Sequence, residues 1–146
     1  MKHLILGFIA LFLMPVTAVQ AETHWNTLVT GDSLSGFVVE GATKIDVSTA
    51  KSLHDRGVRF IDARWEHIWE IGHIPGASSL AFVNEAALME LVNKNEEVVF
   101  YCSGADCNKS VKACAKALTW GYEKVYYFAK GYPGWESAGH PIEKAK

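Results

Sequence analysis

Cys102, Cys107 and Cys114 are the residues of this chain whose type and spacing best suit covalent chemistry. Cys102 closes the apolar run Val98-Val99-Phe100-Tyr101, whose β-branched and aromatic residues have the pattern of a buried strand. A polar loop follows: Ser103, Gly104, Ala105, Asp106, Cys107, Asn108, Lys109 and Ser110. From Ser110 onward Val111, Cys114 and Leu118 recur at helical spacing, with Lys112 and Lys116 turned away. The N–H groups of such a loop converge with the free ones at the following helix N-terminus and favour an anion between them. An unperturbed thiol with a pKa of about 8.5 is only about 3% thiolate at pH 7. Lowering that pKa by about two units makes most of it reactive. Cys102 is therefore the candidate nucleophile, and Ser103 to Ser110 the candidate anion cradle.

The remaining loop residues divide by role. Cys107 can resolve a persulfide or sulfenate on Cys102, close a disulfide within the loop, or fill space. Two cysteines five residues apart in a turn can bring their Cα atoms within the roughly 4.4–6.8 Å that a disulfide needs, so a reversible Cys102–Cys107 bond that protects the nucleophile is expected. Cys114 shares the apolar helix face and is expected in the core. Lys109 sits beside the anion space as a point charge, and Ser110 is expected as helix N-cap or first-turn donor. Neither His67 nor His140 has metal-ligand spacing with a carboxylate or cysteine, and no metal is expected.

The elements that must position this loop follow from the rest of the 146 residues, 49% hydrophobic and 21% charged. Lys2 and His3 precede the apolar run Leu4 to Met14, and Ala18-Val19-Gln20-Ala21 ends in small residues. Residues 1–21 thus have the pattern of a secretory signal peptide, and because Pro15 breaks the apolar run before a good cleavage site, cleavage after Ala21 is expected over the alternative, a retained membrane anchor. The protein is then expected in the periplasm or outside the cell, with no stable membrane association. Cleavage removes one basic residue and no acidic one from a chain of net charge −2, and no basic block points to nucleic acid. Disulfides persist in such a compartment, and an odd cysteine count leaves at least one free or paired elsewhere.

Residues 22–43 carry Trp25, Leu28, Phe37, Val38 and Val39 and read as an irregular extension across a domain of residues 44–143. Asp46 caps a helix through about Arg56 that stops at Gly57. Val58 to Ala63 reads as a strand, Arg64 to Ile71 as a short helix, residues 72–77 as a turn, and Ser78 to Phe82 as a second strand. Asn84 caps a helix through about Val92. After the central unit, Lys124 to Phe128 reads as a strand and Gly134 to Ala138 as a last helix. Strands alternating with helices imply an α/β fold with a parallel sheet covered on both faces.

At several separated places the chain resembles the rhodanese-like family. These are Asp62-Ala63-Arg64, Gly72-His73-Ile74-Pro75-Gly76-Ala77, Val98 to Cys102, Trp120-Gly121-Tyr122, and Gly131 to Pro141 with Trp135. The resemblance implies a five-stranded parallel sheet with helices on both faces and Cys102 as the sulfur-carrying nucleophile. Sulfurtransferase members commonly read Cys-x-x-Gly-x-Arg-Ser, whereas here Ser110 follows Cys102 by eight positions and Lys109 replaces the arginine. Phosphatase members keep an arginine six positions after the cysteine, where this chain has Asn108, so that chemistry is demoted. The loop with its second cysteine resembles a subgroup of exported rhodanese-like proteins. The leading expectation is an exported sulfurtransferase without cofactor, taking sulfur from a small donor of the thiosulfate or polysulfide class to a thiophilic acceptor such as a protein thiol. The alternatives are a thiol–disulfide protein using Cys102 and Cys107, and a non-catalytic binding module.

Overall fold

A computed structural model describes residues 25–32 and 34–145. The signal-peptide reading of residues 1–21 lies outside the described residues. Among the described residues seven strands occur: β1 (Val29–Thr30), β2 (Val38–Val39), β3 (Thr43–Ile45), β4 (Arg59–Asp62), β5 (Ser78–Ser79), β6 (Glu97–Tyr101) and β7 (Lys124–Phe128). The helices are α1 (Val47–Asp55), α2 (Glu66–Ile71), α3 (Glu85–Leu91), α4 (Asn108–Thr119) and α5 (Gly131–Ser137). The main sheet runs β3-β7-β6-β4-β5 with every pair parallel, and β6 lies at its centre.

Successive side chains of a strand point to opposite faces, which is why β6 is apolar from Val98 to Tyr101. Val98 and Phe100 enter a core with Leu88 of α3 and with Val111, Cys114 and Ala117 of α4. Val99 and Tyr101 enter a second core with Ala50 and Leu53 of α1 and Trp135 of α5. The expected α/β architecture is present, with a buried layer on each side. The Asp46 carboxylate accepts from the Thr49 N–H at 2.8 Å and starts α1, and the Asn84 side chain accepts from Ala87 N–H at 3.0 Å and starts α3.

Four local expectations change. The fifth strand, β3, lies at the junction of the expected extension and domain; three residues with only Ile45 buried give too little pattern to be read from sequence. The second strand stops at Ser79, because the chain then turns off the sheet edge and Phe82 packs on Trp65, ring centres 5.0 Å apart. The helix after the cysteine loop begins at Asn108, not Ser110, with Cys107 as its N-cap residue in extended geometry (φ −91°, ψ 115°). The last helix begins at Gly131, three residues early. Residues 25–42 also hold more structure than an irregular extension: a 3-10 turn at Trp25–Leu28 and the antiparallel pair β1–β2. Trp25, Leu28, Val29 and Phe37 pack against the core beneath α4, which is why Ala113, Ala115 and Ala117 are buried along with the expected apolar stripe.

Behind the loop lies a buried ion pair. Asp62, at the end of β4, is fully buried and Arg64 is 5% exposed. Arg64 Nε donates to Asp62 Oδ1 at 2.9 Å and its Nη2 to Oδ2 at 2.6 Å, while Nη2 also donates to the Gly72 carbonyl at 2.7 Å. Removing one member of a buried pair strands the other charge in a low-dielectric interior. We expect Asp62→Ala to lower unfolding free energy by about 3–5 kcal/mol. Chemical denaturation of the two proteins measures it, and a loss no larger than that of an exposed carboxylate would remove the pair from the scaffold.

Candidate active site

Cys102 follows the last residue of β6 and is 1% exposed. Two contacts hold its backbone. Tyr132 N–H donates to the Cys102 carbonyl at 3.0 Å. Gly131, at φ +55°, comes so close that a methyl there would collide with the same carbonyl oxygen, so only glycine fits. Tyr132 is itself seated on the ion pair, with the Arg64 guanidinium carbon 4.3 Å from its ring centre. Burial alone would lower the Arg64 pKa, but hydrogen bonds and charge from Asp62 outweigh it and raise it, so the guanidinium stays charged beneath the loop.

Cys102 and Cys107 are joined by a disulfide, their Cα atoms 6.2 Å apart, inside the range expected from their spacing. Ser103, Ala105 and Asp106 are exposed at the crest of the loop, Gly104 is half-buried, and the Cys107 N–H donates to the Gly104 carbonyl at 3.1 Å. The disulfide therefore spans a tight turn that feeds directly into α4. That helix has no side-chain hydrogen bond capping its N-terminus. Its first N–H groups are the ones left without intrahelical partners, and they carry the positive end of the helix dipole.

The structure separates the other candidates. Asn108 is exposed as the first residue of α4. Lys109 Nζ stands 3.4 Å from the centre of the Trp65 ring, so its charge lies on an aromatic face beside the loop, and partial burial lowers its pKa. Ser110 is not the N-cap but the third helical residue; it is fully buried, and its Oγ has no hydrogen-bond partner among the described residues. Cys114 is fully buried, with its Sγ 3.7 Å from the Tyr126 carbonyl, and burial pushes its thiol pKa strongly upward. His73 is stacked on Trp69, with Nδ1 2.8 Å from the Trp69 carbonyl and Nε2 3.7 Å from a Glu143 carboxylate oxygen, so both ring nitrogens are engaged in holding the turn.

Sequence reasoning left out Gly131 and Tyr132 as holders of the Cys102 carbonyl. Gly-Tyr after a strand and a charged residue marks a turn but not what it packs on. It also left out Lys130, which with Ala105 and α5 residues Pro133, Gly134 and Ser137 lines an open cleft of about 550 Å³ beside the loop.

As joined, the two sulfurs cannot attack anything. Reduction would free a thiol at the end of a central strand, before an uncapped helix N-terminus, which is the setting that lowers a cysteine pKa and stabilises an anion formed on it.

Residues 47–138 match the family described as Rhodanese-like domain. Among curated proteins, the chain is similar to Protein HIGH ARSENIC CONTENT 1, mitochondrial, of Arabidopsis thaliana, at 25% identity over 73% of this chain and 69% of that protein. It is also similar to Thiosulfate sulfurtransferase 18 of the same plant, at 28% identity over 74% of this chain and 88% of that one. Among solved structures, the BH2092 protein of Bacillus halodurans has the same fold, with a TM-score of 0.64 at 24% identity, covering 70% of this chain and 77% of that one.

The contrast between Cys114 and the loop pair can be measured. After reduction, iodoacetamide should modify Cys102 and Cys107 in the folded protein and reach Cys114 only after denaturation. Peptide mapping reads the three sites separately, and fast native labelling of Cys114 would contradict its place in the core.

Proposed function

Because this chain belongs to the rhodanese-like domain family, we propose that it is an exported sulfurtransferase carrying sulfur as a persulfide on Cys102. The observation that carries the reading is the placement of Cys102: buried where the central strand ends, its carbonyl fixed by Tyr132 N–H, at the start of the short loop that leads into the uncapped end of α4. Similarity to a protein named a thiosulfate sulfurtransferase supports it.

In the reduced protein the Cys102 thiolate attacks the outer sulfur of thiosulfate. A Cys102 S–S bond forms, the sulfur–sulfur bond of the donor breaks, and sulfite leaves with the electron pair. The terminal sulfur of the persulfide carries the negative charge, which the loop and helix N–H groups stabilise. An acceptor thiolate then takes that outer sulfur and Cys102 leaves as a thiolate, ready for another donor. The steps need no metal or organic cofactor. Lys109, drawn onto Trp65, sets a positive field beside the loop without gripping the donor's oxygens, and Lys130 stands at the cleft where a small anion enters.

The disulfide supports a second reading, thiol–disulfide chemistry by the Cys102–Cys107 pair, in which attack rate follows thiolate fraction and access. Mass decides between the two. Reduced protein incubated with thiosulfate or polysulfide should gain about 32 Da on Cys102, one sulfur atom, whereas a redox pair loses two hydrogens and re-forms the disulfide. We expect Cys102→Ser to reduce sulfur transfer to background while the fold persists. Cys107→Ser should keep transfer but lose protection, so that peroxide inactivates it irreversibly and the wild type recoverably. If Cys107→Ser loses transfer and Cys102→Ser keeps it, the two roles are exchanged.

A further inference from the structure

Immediately after the loop, Lys109, Lys112 and Lys116 lie along one stripe of α4, as positions three and four apart must. Aromatic rings flank the stripe. Trp65 and Phe82 are 45% and 72% exposed, and they pack edge to face against each other. Lys112 Nζ is 5.9 Å from the centre of the Trp25 ring on the other side. Between them runs a groove of about 350 Å³ lined by Trp25, Phe82, Val83 and the three lysines. Among the described residues, no carboxylate lies within 4.0 Å of any of these three ammonium groups. In a chain of net charge −2, three uncompensated cations around exposed aromatic rings are a local reversal of sign. Such a patch complements an acidic surface with an apolar centre.

The loop disulfide supplies the chemistry such a partner would perform. Its opening requires two electrons from outside the chain. Cys102 is 1% exposed, whereas Cys107 is only partly buried, so an incoming sulfur meets Cys107 first. Lys109 follows Cys107 by two residues, which places the lysine stripe beside the point of attack.

We propose that the Trp65–Phe82–lysine surface docks an acidic protein dithiol that reduces the Cys102–Cys107 disulfide by attack on Cys107. The partner's first thiolate forms a bond to Cys107 Sγ and Cys102 leaves as the thiolate. The partner's second thiolate then attacks its own sulfur in the mixed disulfide, releasing Cys107. The partner ends oxidised by two electrons and its two thiol protons pass to the loop sulfurs or solvent. This names the partner for the sulfurtransferase reading and rests on that reading only for what the freed Cys102 does next.

The test uses the purified, oxidised protein and two synthetic Cys-Gly-Gly-Cys peptides, one flanked by glutamate and leucine and the other by lysine and leucine. Alkylation and mass spectrometry follow disulfide opening at low and high salt. The acidic peptide should open the loop at least about tenfold faster than the basic one, with the difference shrinking as salt screens it. The double substitution Lys112→Glu with Lys116→Glu should reverse that order, while dithiothreitol, which has no flanking residues for the surface to recognise, still opens the disulfide of both proteins completely and reports an intact loop. Equal rates for the two peptides, or a preference that survives the double substitution, would overturn the proposal. So would binding to phosphatidylglycerol vesicles that the double substitution abolishes, if the peptides are not distinguished, since the patch would then be a membrane surface. If the peptide preference holds but reduced protein takes no sulfur from thiosulfate or polysulfide, the docking surface stands and the sulfurtransferase reading falls.

Discussion

The buried pairing of Arg64 with Asp62 is the interaction on which the geometry of the site depends. A guanidinium has N–H donors in a fixed plane and a flat face, and here edge and face together engage three parts of the chain. Two reach the Asp62 carboxylate at the end of β4, and Nη2 also reaches the Gly72 carbonyl in the turn after α2. The guanidinium face lies beneath the Tyr132 ring at the start of α5. Tyr132 N–H in turn fixes the Cys102 carbonyl. Cys102 therefore sits on a stack whose base is a charge that cannot leave its partner without being stranded. Gly72 and Gly131 allow that stack to close, since a side chain at either would run into Tyr132 or Cys102.

Above the stack, the disulfide and the helix end act on the same residue in opposite directions. An uncapped helix N-terminus favours a negative charge on Cys102. A bond to Cys107 removes that charge altogether. A loop with both features can alternate between a masked and a nucleophilic state without moving the strand or helix at its ends. Such a division suits a compartment where oxidants are present and reductant has to be delivered.

The lysines belong to the same economy of placement. A wider loop pushes Lys109 past the crest and onto Trp65, so it does not close over the anion space as an arginine in a shorter loop would. Its charge thus lies on the outer face of α4, where Lys112 and Lys116 continue it.

The sequence by itself determined the alternation of helices and strands, because the middle of each central strand is buried and reads as a short run of large apolar and aromatic residues, while α1 and α3 begin at capping residues that can be read directly. It determined that Cys102 ends a strand before a helix, that Cys114 lies on an apolar face, and that Cys107 is near enough to bond to Cys102. Only the tertiary structure decided the rest, and in each case the cause is a contact distant in sequence. The edge strand Thr43–Ile45 exists because β7 offers it a partner, with Ile45 opposite Phe128. The helix begins at Asn108 because a disulfide pins Cys107 at its mouth, leaving Ser110 inside the first turn. The Cys102 carbonyl is held by a residue thirty positions away, and Lys109 is claimed by a tryptophan from another βα unit. Local pattern reports what a segment tends to form; which side chain closes on which depends on packing that no local pattern encodes.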